Sequence, residues 1–350
     1  METILRKVNE ENIDTEVMNE AAEILRRGDM VAFPTETVYG LGANALDEGA
    51  SKKIYAAKGR PSDNPLIVHI SNENQLQRVV SEIPETARKL IKAFWPGPLT
   101  IVFNKSKAVP YGTTGGLDTV AVRMPNHKIA LKLIEVSDVL IAAPSANLSG
   151  RPSPTLAEHV MDDLGGRISM VIDGGPVGIG IESTIVDVTG EVPMILRPGY
   201  INKTMLEEIV GEVMVDKAIL KPDNPGLKPK APGMKYRHYA PKADFTMYDG
   251  ERKAVACRIN EIAKALIENG YKVGIIASDE SFELYKCGDV VSIGTRSDEL
   301  SISKNLYKIL RDFDDKEADY ILGETFASDK LGQAIMNRML KAAGYKVEKV

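Results

Sequence analysis

A lysine and an arginine stand two residues apart in the stretch Lys58-Gly59-Arg60-Pro61. In an extended chain, residues i and i+2 point to the same side, so both cations are placed to contact one ligand. Gly59 allows a close approach of the backbone, and Pro61 stiffens the exit. Charge-assisted hydrogen bonds from two cations suit a polyanion such as a triphosphate. On spacing alone, two solvated charges in a surface loop remain the simpler interpretation.

Hydroxyl, amide and guanidinium side chains also occur at the ends of several predicted strands. Taken singly, each of them is equally typical of a turn or a cap. Ligand sites of α/β proteins assemble where strands end, so their repetition in one region indicates a site. The residues concerned are Thr35, Thr37, Ser145, Asn147, Ser183 and Arg197.

Other motifs do not indicate chemistry of their own. The sequence 40–45 matches a GxGxxA pattern, but six residues separate it from Phe33, whereas a dinucleotide fingerprint opens a helix directly after a strand. Ser145 lacks the GxSxG elbow of a serine nucleophile. The four histidines do not have the spacing of metal ligands. His69, inside an apolar strand, is expected to be a core residue.

The composition sets the class of protein. A chain of 350 residues is longer than one ordinary core, so we expect two domains. The 43% of hydrophobic and 27% of charged residues are typical of a soluble globular protein. We expect no membrane span and no signal peptide. Two cysteines are too few for a disulfide framework and indicate a reduced, cytoplasmic protein.

The charge is unevenly distributed along the chain. Residues 1–210 contain 21 Lys and Arg against 27 Asp and Glu, so no extended basic surface for nucleic acid is evident there. Residues 217–242 contain five prolines and seven basic residues with one acid. That proline density excludes a regular helix and indicates an extended linker.

In the first 212 residues the patterning predicts a mixed, strongly twisted α/β sheet. Apolar residues at helical spacing over 13–25, with Asp14 as a cap and Gly28 past the end, predict the first helix. The predicted strands are 30–33, 65–70, 99–103, 119–123, 139–142, 170–172, 183–188 and 194–196. Further helices are predicted near 51–58, 84–94, 127–136 and 155–163.

Residues 243–350 alternate between strands and helices, which predicts a smaller, parallel, doubly wound domain of Rossmann-like form. Its predicted strands are 243–248, 272–278, 289–295 and 320–324, and its helices are 251–268, 298–311 and 330–343. No glycine-rich loop follows the first strand, and nothing in this region indicates catalysis. The predicted organisation is a catalytic domain (1–212), a linker (213–242) and a C-terminal domain (243–350).

The motifs taken together resemble the YrdC-like family of threonylcarbamoyl-AMP synthases. That family carries a lysine-x-arginine followed downstream by a serine-x-asparagine, here Lys58/Arg60 and Ser145/Asn147. The segment 231–241 and the α/β tail resemble the longer, two-domain form. The segments that carry the resemblance are PTETVYGLG, KGRPSDNPLIVHI, FWPGPLT, TVAVRMP, PSANLSG, ESTIVD and LRPG.

The resemblance implies an open twisted sheet with a concave ligand-binding face, and a cytoplasmic nucleotidyltransferase. Such an enzyme joins L-threonine, bicarbonate and ATP, with magnesium accompanying ATP, into threonylcarbamoyl-adenylate and pyrophosphate. The adenylate serves the threonylcarbamoyl-adenosine modification of tRNA. The implied partners are the downstream tRNA threonylcarbamoyl-transferase proteins and tRNA itself, with no membrane involved.

The resemblance also implies roles for individual residues. Lys58 and Arg60 are the implied catalytic cations, and no protein ligand set for a metal is implied. The implied threonine pocket consists of Thr37, His69, Arg123, Ala143 and Ser183. The implied ATP contacts are Arg60, Asn64, Thr119, Ser145, Asn147, Ser153, Arg197 and Tyr236.

Two other functions compete with this interpretation. A module that binds double-stranded RNA or tRNA without catalysis would need many phosphate contacts, and the acidic balance of residues 1–210 counts against it. A larger carbamoyl-transferring maturation enzyme would need zinc-finger and acylphosphatase-like parts that this sequence lacks. We further expect the linker to fold across the site as a lid that brings Tyr236 onto ATP.

Overall fold

A computed structural model describes residues 2–220, 238–327 and 329–350. These residues form two units, and each of them contains its own β-sheet. The first unit consists of residues 2–149, 153–178 and 182–220, and the second of 150–152, 179–181, 238–327 and 329–350. The predicted boundaries at 212 and 242 stay predictions.

The first unit contains eleven strands and eight helices in its described part. The strands are β1 (Ile4–Lys7), β2 (Val31–Phe33), β3 (Gly40–Asn44), β4 (Ile67–His69), β5 (Leu99–Asn104), β6 (Thr119–Arg123), β7 (Ile141–Ala142), β8 (Met170–Asp173), β9 (Thr184–Asp187), β10 (Met194–Arg197) and β11 (Met214–Val215). The helices are α1 (Thr15–Arg26), α2 (Glu48–Lys58), α3 (Glu85–Phe94), α4 (Tyr111–Thr114), α5 (Lys128–Ser137), α6 (Ala157–Leu164), α7 (Lys203–Val210) and α8 (Lys217–Leu220).

The strands of the first unit form one mixed sheet. Their order is β1-β8-β2-β3-β7-β4-β6-β5-β9-β10-β11. Strand β4 runs parallel to β6, and β5 runs parallel to β9, whereas β7 is antiparallel to β4 and β5 to β6. The predicted mixed α/β sheet is therefore confirmed.

The sequence did not predict strand β3, because its glycines are typical of a loop. Residues 40–44 form β3, which pairs antiparallel with β2. A Cβ atom at Gly42 would lie 2.7 Å from Cγ2 of Ile141 and 2.8 Å from Cε1 of Phe33. Packing therefore requires glycine at this position, although glycine disfavours strands in isolation. The strands β1 and β11 and the helices α4, α7 and α8 were also not predicted. Helix α8 lies at the start of the segment 217–242, so the prediction that this segment contains no regular helix is wrong there.

The first helix follows its predicted signals closely. The Asp14 side chain accepts hydrogen bonds from the backbone N–H groups of Glu16 and Val17, as a helix cap should. Gly28 has a positive φ of 76° just beyond the helix end. The apolar side of α1 packs against α5 and the sheet.

Two apolar clusters cover opposite faces of this sheet. Val31 and Phe33 belong to the cluster under α1 and α5, whereas Ala32 between them belongs to the larger cluster. This is the alternation expected along a strand. The larger cluster also contains Trp95, the only tryptophan of the chain, whose indole N–H donates to the carbonyl oxygen of Leu99 at 2.7 Å.

The second unit contains a parallel five-stranded sheet. Its described elements are β12 (Asp244–Asp249), α9 (Arg252–Glu268), β13 (Val273–Ala277), β14 (Asp289–Ser292), α10 (Glu299–Asp315), β15 (Tyr320–Glu324), α11 (Lys330–Ala342) and β16 (Val347–Lys349). The strand order, β14-β13-β15-β12-β16, and the parallel pairs confirm the predicted parallel arrangement. Of these described strands, only β16 was not predicted.

None of the helices in the described part of the chain combines the length and the apolar character needed to cross a bilayer.

The turn after β10 packs so tightly that we expect it to require glycine. A Cβ atom at Gly199 would lie 2.4 Å from the backbone nitrogen of Thr184 at the start of β9. The substitution Gly199→Ala should therefore lower the free energy of unfolding by about 2 kcal/mol. Urea denaturation followed by tryptophan fluorescence measures this change.

A matched control for this substitution is Gly190→Ala. A Cβ atom at Gly190 meets only the carbonyl oxygen of Val192, at 3.9 Å. The control should change the stability by less than about 0.5 kcal/mol. Equal midpoints for the two variants would contradict the packing argument.

Candidate active site

The candidate site lies on the face of the first sheet opposite the larger cluster, in the region where that face carries a small apolar cluster. Each member of this cluster has a sequence neighbour in the larger cluster, so the two clusters lie on opposite faces. His69, Thr119, Arg123 and Ser183 each stand two residues from a member of the small cluster, which places them on its face. The small cluster consists of Ile67, Val102, Ala121, Ile185 and Leu196.

Arg123 is the central cation of this face. It ends β6 and is 4% exposed. Its Nε donates to the carbonyl oxygen of Gly97 at 3.2 Å, and its Nη1 donates to Oγ1 of Thr37 at 2.9 Å. Thr37 Oγ1 lies 2.9 Å from Oγ1 of Thr35, so the two predicted hydroxyls form one chain of contacts that ends on the guanidinium.

Glu36 forms an ion pair with Arg123 that the sequence did not predict. Its Oε2 lies 2.6 Å from Nη2 of Arg123, and its side chain is 13% exposed. Among the described residues, neither oxygen of Glu36 has a hydrogen bond of acceptable geometry. In the sequence, an acidic residue between two threonines is not distinctive. The contact of Glu36 with Arg123 at the end of β6 is what identifies it as part of the candidate site.

His69 is neutral in the folded protein. It ends β4 directly beside Arg123 in the parallel register of β4 and β6. Burial, and then the charge of Arg123, lowers the pKa of His69 from 6.5 to about 3. One ring nitrogen, Nδ1, lies 3.1 Å from the carbonyl oxygen of Ile67. The expected core histidine is thus buried and uncharged, and it lies on the face of the candidate site.

Ser183 and Arg197 are in direct contact. The Nε of Arg197 donates to the carbonyl oxygen of Ser183 at 3.0 Å, and its Nη2 donates to the Ser183 hydroxyl at 3.2 Å. The same hydroxyl lies 2.7 Å from Oγ1 of Thr100 in β5. Ser183, which was predicted to bind threonine, is therefore hydrogen-bonded to Arg197, which was predicted to bind ATP.

Lys58 connects the two halves of the predicted catalytic motif. Its side chain is buried, and its Nζ donates to the carbonyl oxygens of Ser145 and Asn147. The hydroxyl of Ser145 donates in turn to Oδ1 of Asn147 at 2.6 Å. The lysine-x-arginine and serine-x-asparagine motifs therefore meet in space through the ammonium group.

The extended conformation assumed for Lys58 and Arg60 is wrong, as is the alternative of two solvated charges. Lys58 is the last residue of α2, and Gly59 caps the helix in the left-handed region with φ 62° and ψ 35°. Both cations are buried. Gly59 is needed because this conformation ends the helix at little cost only for glycine.

Arg60 stabilises the segment that leads into β4. Its Nε donates to the carbonyl oxygen of Asn64 at 3.3 Å, and its Nη2 donates to that of Pro65 at 3.1 Å. Asn64 is 1% exposed, yet its side-chain oxygen Oδ1 has no donor within the described segments. A buried amide oxygen without a partner is costly, so a ligand that donates to Asn64 would relieve this cost.

The other predicted site residues lie in separate parts of the first unit or outside the described residues. Ser153 is buried and donates to Oε1 of Glu182 at 2.5 Å. The backbone N–H of Ala143 donates to the carbonyl oxygen of Ile67 at 2.8 Å. Thr119 is half-buried at the start of β6. Tyr236 and most of the predicted lid lie outside the described residues.

The chemistry of the candidate site suits an anionic ligand. Four cationic side chains, those of Lys58, Arg60, Arg123 and Arg197, are each at most 9% exposed. Buried cations are tolerated only when they are hydrogen-bonded, and here backbone carbonyl groups supply much of that bonding. Among the described residues, no group of three His, Cys, Asp or Glu side chains is placed to hold a metal ion.

Comparison with protein families gives two matches that together span most of the chain. Residues 23–199 match the model named Sua5_yciO_yrdC, which is described as "Telomere recombination". Residues 201–344 match the model described as "Threonylcarbamoyl-AMP synthase, C-terminal domain".

Two similar proteins carry the same name. The chain is 51% identical over 332 residues to the threonylcarbamoyl-AMP synthase of Pyrococcus abyssi, covering 94% of this chain and 95% of the relative. It is 48% identical over 329 residues to that of Bacillus subtilis, covering 94% and 93% of the two chains. Both alignments therefore include the two matched domains.

Solved structures resemble this fold over different lengths. The crystal structure of Pyrococcus abyssi Sua5 complexed with L-threonine has a TM-score of 0.93 at 49% identity and covers 99% of this chain and 100% of that one. The crystal structure of Escherichia coli YciO has a TM-score of 0.51 at 24% identity and covers 56% and 95%. The latter match shows the fold alone.

The first domain is that of a YrdC-like protein. The chain belongs to the Sua5/YciO/YrdC family, and its second domain assigns it to the two-domain branch of threonylcarbamoyl-AMP synthases. The resemblance given by the sequence motifs is thus confirmed.

The buried, neutral state of His69 predicts a pH dependence of stability. Between pH 3 and 6.5 the unfolded chain binds a proton at this position and the folded chain does not. The free energy of unfolding therefore rises with pH across this window and reaches its full value above it. Lowering the pH from 7.5 to 5 should remove about 2 kcal/mol through His69 alone.

The measurement is urea denaturation of the wild type and of His69→Gln over this pH range. The variant should show the shallower slope. The pKa of His127 is also lowered, chiefly by burial, so part of the slope should persist. Identical slopes for the two proteins would show that His69 is not buried as a neutral group.

Proposed function

We propose that this chain is an L-threonylcarbamoyladenylate synthase. It would form threonylcarbamoyl-AMP and pyrophosphate from L-threonine, bicarbonate and ATP. The observation that carries the proposal is the match of both domains, at 51% and 48% identity, to relatives named threonylcarbamoyl-AMP synthase. The structure of the similar Pyrococcus abyssi protein complexed with L-threonine supports this amino acid as a substrate.

The threonine pocket of this proposal is centred on Arg123. A guanidinium group binds a carboxylate through two parallel hydrogen bonds, and Arg123 is already oriented by Thr37 and Gly97. Binding of the substrate carboxylate would replace Glu36 as the anion beside Arg123. His69, Ala143 and the Ser183 hydroxyl complete the proposed pocket.

Several ATP contacts of this proposal lie at the end of these strands opposite Arg123, whereas Arg197 contacts Ser183 of the threonine pocket. Asn64 precedes β4, and Thr119 begins β6. Ser145 is bridged to Gly40 at that same end. Arg60 and Asn147 lie in contact with these segments, while Ser153, Arg197 and Tyr236 are the remaining proposed contacts. The two proposed substrates would thus meet across the short strands β4 and β6.

Magnesium would enter this site together with ATP. The proposed ATP contacts carry guanidinium, amide and hydroxyl groups, which suits a metal carried by the phosphates. When bound, the ion would neutralise phosphate charge.

The reaction needs positioning rather than a protein nucleophile. The threonine amine would attack the carbon of bicarbonate with loss of water, and the resulting carbamate would attack the α-phosphorus with release of pyrophosphate. Lys58, Arg60 and Arg197 would stabilise the charge on the phosphates, and Arg123 would fix the amino acid. Their orientation is set in advance by the backbone carbonyl groups that they contact.

The product would be used by a second enzyme. An acyl adenylate is labile in water, so it must pass to a downstream tRNA threonylcarbamoyl-transferase, in the cytoplasm and in the presence of tRNA. The rival function, an RNA-binding module without catalysis, has less support because the similar proteins are named as synthases over nearly their whole length.

The proposal predicts release of pyrophosphate that depends on L-threonine. Purified protein with ATP, magnesium and bicarbonate should release pyrophosphate only when L-threonine is added. Lys58→Ala and Arg60→Ala should each lower kcat by about a hundredfold or more, because each removes a buried cation beside the reacting phosphates. An enzyme-coupled pyrophosphate assay measures this rate.

The matched control for Lys58→Ala is Lys52→Ala, on the same helix. The Lys52 side chain is 71% exposed and pairs with Glu48 at the surface, so its loss should leave the rate unchanged. If the wild type releases no pyrophosphate but binds RNA with a steep salt dependence, the RNA-binding function replaces this proposal.

The assignment of Arg123 predicts a selective effect on one substrate. Arg123→Lys keeps the charge but loses the two-pronged contact, so it should raise KM for L-threonine by about tenfold or more. Steady-state kinetics with each substrate varied in turn measures this effect. The value of KM for ATP should stay unchanged, which also shows that the site remains folded. An unchanged KM for L-threonine would remove Arg123 from the pocket.

A further inference from the structure

The second unit has a crevice at the carboxyl ends of its parallel strands. After β13 the chain crosses to β14 at one edge of the sheet, whereas after β15 it crosses to β16 at the other edge. The connections that leave these two neighbouring strands therefore run towards opposite edges. Ligands of open parallel sheets bind at such a point of divergence. The residues that follow these strand ends are therefore placed to line a second site.

A buried carboxylate lies at this point. Glu324 ends β15 and is 3% exposed. Its oxygens accept hydrogen bonds from the backbone N–H of Ser278 at 3.1 Å, from the hydroxyl of Tyr285 at 3.2 Å and from that of Ser281. Arg296 forms an ion pair with the same carboxylate. These donors saturate Glu324, so it does not itself offer a site for a cation.

Glu324 instead orients Arg296. The Nη2 of Arg296 contacts Glu324 and donates to the carbonyl oxygen of Thr325 at 3.0 Å, while its Nε donates to the Ser278 hydroxyl at 3.2 Å. The guanidinium carbon also lies 4.7 Å from the ring centre of Phe326. The guanidinium group is thus fixed from three sides, and its Nη1 makes no hydrogen bond with any residue that the structure describes.

Arg296 lines a cavity of about 300 Å³. Arg252, the first residue of α9, and Tyr248 of β12 line the same cavity. Arg252 is exposed and has no ion pair within the described residues. With Glu324 neutralised by Arg296, Arg252 leaves a net positive lining.

The acidic side chains beside this cavity are already bound. Asp249 accepts a hydrogen bond from the Thr325 hydroxyl at 2.8 Å. Glu251 accepts hydrogen bonds from the backbone N–H groups of Lys253 and Ala254 and so caps α9. One oxygen of each carboxylate is directed to these donors, and neither residue lines the cavity, so the two arginines are the cationic groups of the lining.

We propose that this cavity is a second ligand site, specific for a small anion that carries a phosphate or a carboxylate group. Arg252 and the Nη1 of Arg296 would bind the anionic group from two sides. A volume of about 300 Å³ is at the lower limit of small-molecule sites, so the ligand has few atoms. The preorganised guanidinium group lowers the entropic cost of binding.

The test is equilibrium dialysis of the full chain against radiolabelled orthophosphate and, separately, malonate. The buried cations of the first unit form their own anion site, so phosphate should occupy two sites in the wild type. Arg252→Ala should retain the site of the first unit and bind phosphate at the second site at least about tenfold more weakly. Arg252→Ala combined with Arg60→Ala should then lose both.

The matched control is Arg258→Ala, on the same helix. Arg258 is half-exposed, pairs with Glu261 and Glu348, and does not line the cavity. This variant should bind as the wild type does. Arg296→Lys, which keeps the charge but loses the fork, should weaken the same site as Arg252→Ala.

The two anions separate the possible ligand groups. Phosphate binding that Arg252→Ala weakens supports a phosphate ligand, and malonate binding that it weakens supports a carboxylate ligand. If neither anion binds at millimolar concentration, or if Arg252→Ala binds both as the wild type does, the proposal is overturned. Dialysis does not depend on pyrophosphate release, so a failed synthase assay and a failed second site remain distinguishable.

Discussion

The candidate site of the first unit depends on one buried ammonium group. The Nζ of Lys58, at the end of α2, donates to the carbonyl oxygens of Ser145 and Asn147 in the loop after β7. A buried protonated amine must be fully hydrogen-bonded, so the loop has to keep its carbonyl groups turned inward. That constraint fixes the Ser145 hydroxyl and the Asn147 amide, and it couples two motifs whose first residues, Lys58 and Ser145, are 87 positions apart in the sequence.

The same principle extends over the face of the sheet. Arg60, Arg123 and Arg197 also use backbone carbonyl oxygens as partners. Neutral acceptors orient a cation without cancelling its charge. Arg123 also has a counter-ion, Glu36. An anionic ligand at Arg123 must therefore compete with a carboxylate that is already in place.

The sequence predicted the regular elements well where periodicity and caps agree. The helix capped by Asp14 and the parallel strands of the second unit follow directly from local patterning. It failed at β3, because the glycines required by the packing of Gly42 against Phe33 look like a loop. The sequence motifs identified the candidate site residues but did not predict the contacts between them. The ion pair of Glu36 and the Lys58 contacts depend on tertiary register, which no local pattern contains.

The packing of Trp95 has a spectroscopic consequence. It is the only indole of the chain, and it is buried in the larger cluster of the first unit with its N–H bonded to Leu99. Its emission therefore reports the integrity of that unit alone, while the circular dichroism of the backbone reports both units. Comparing the two signals during denaturation separates the melting of the catalytic part from that of its C-terminal neighbour without cutting the chain.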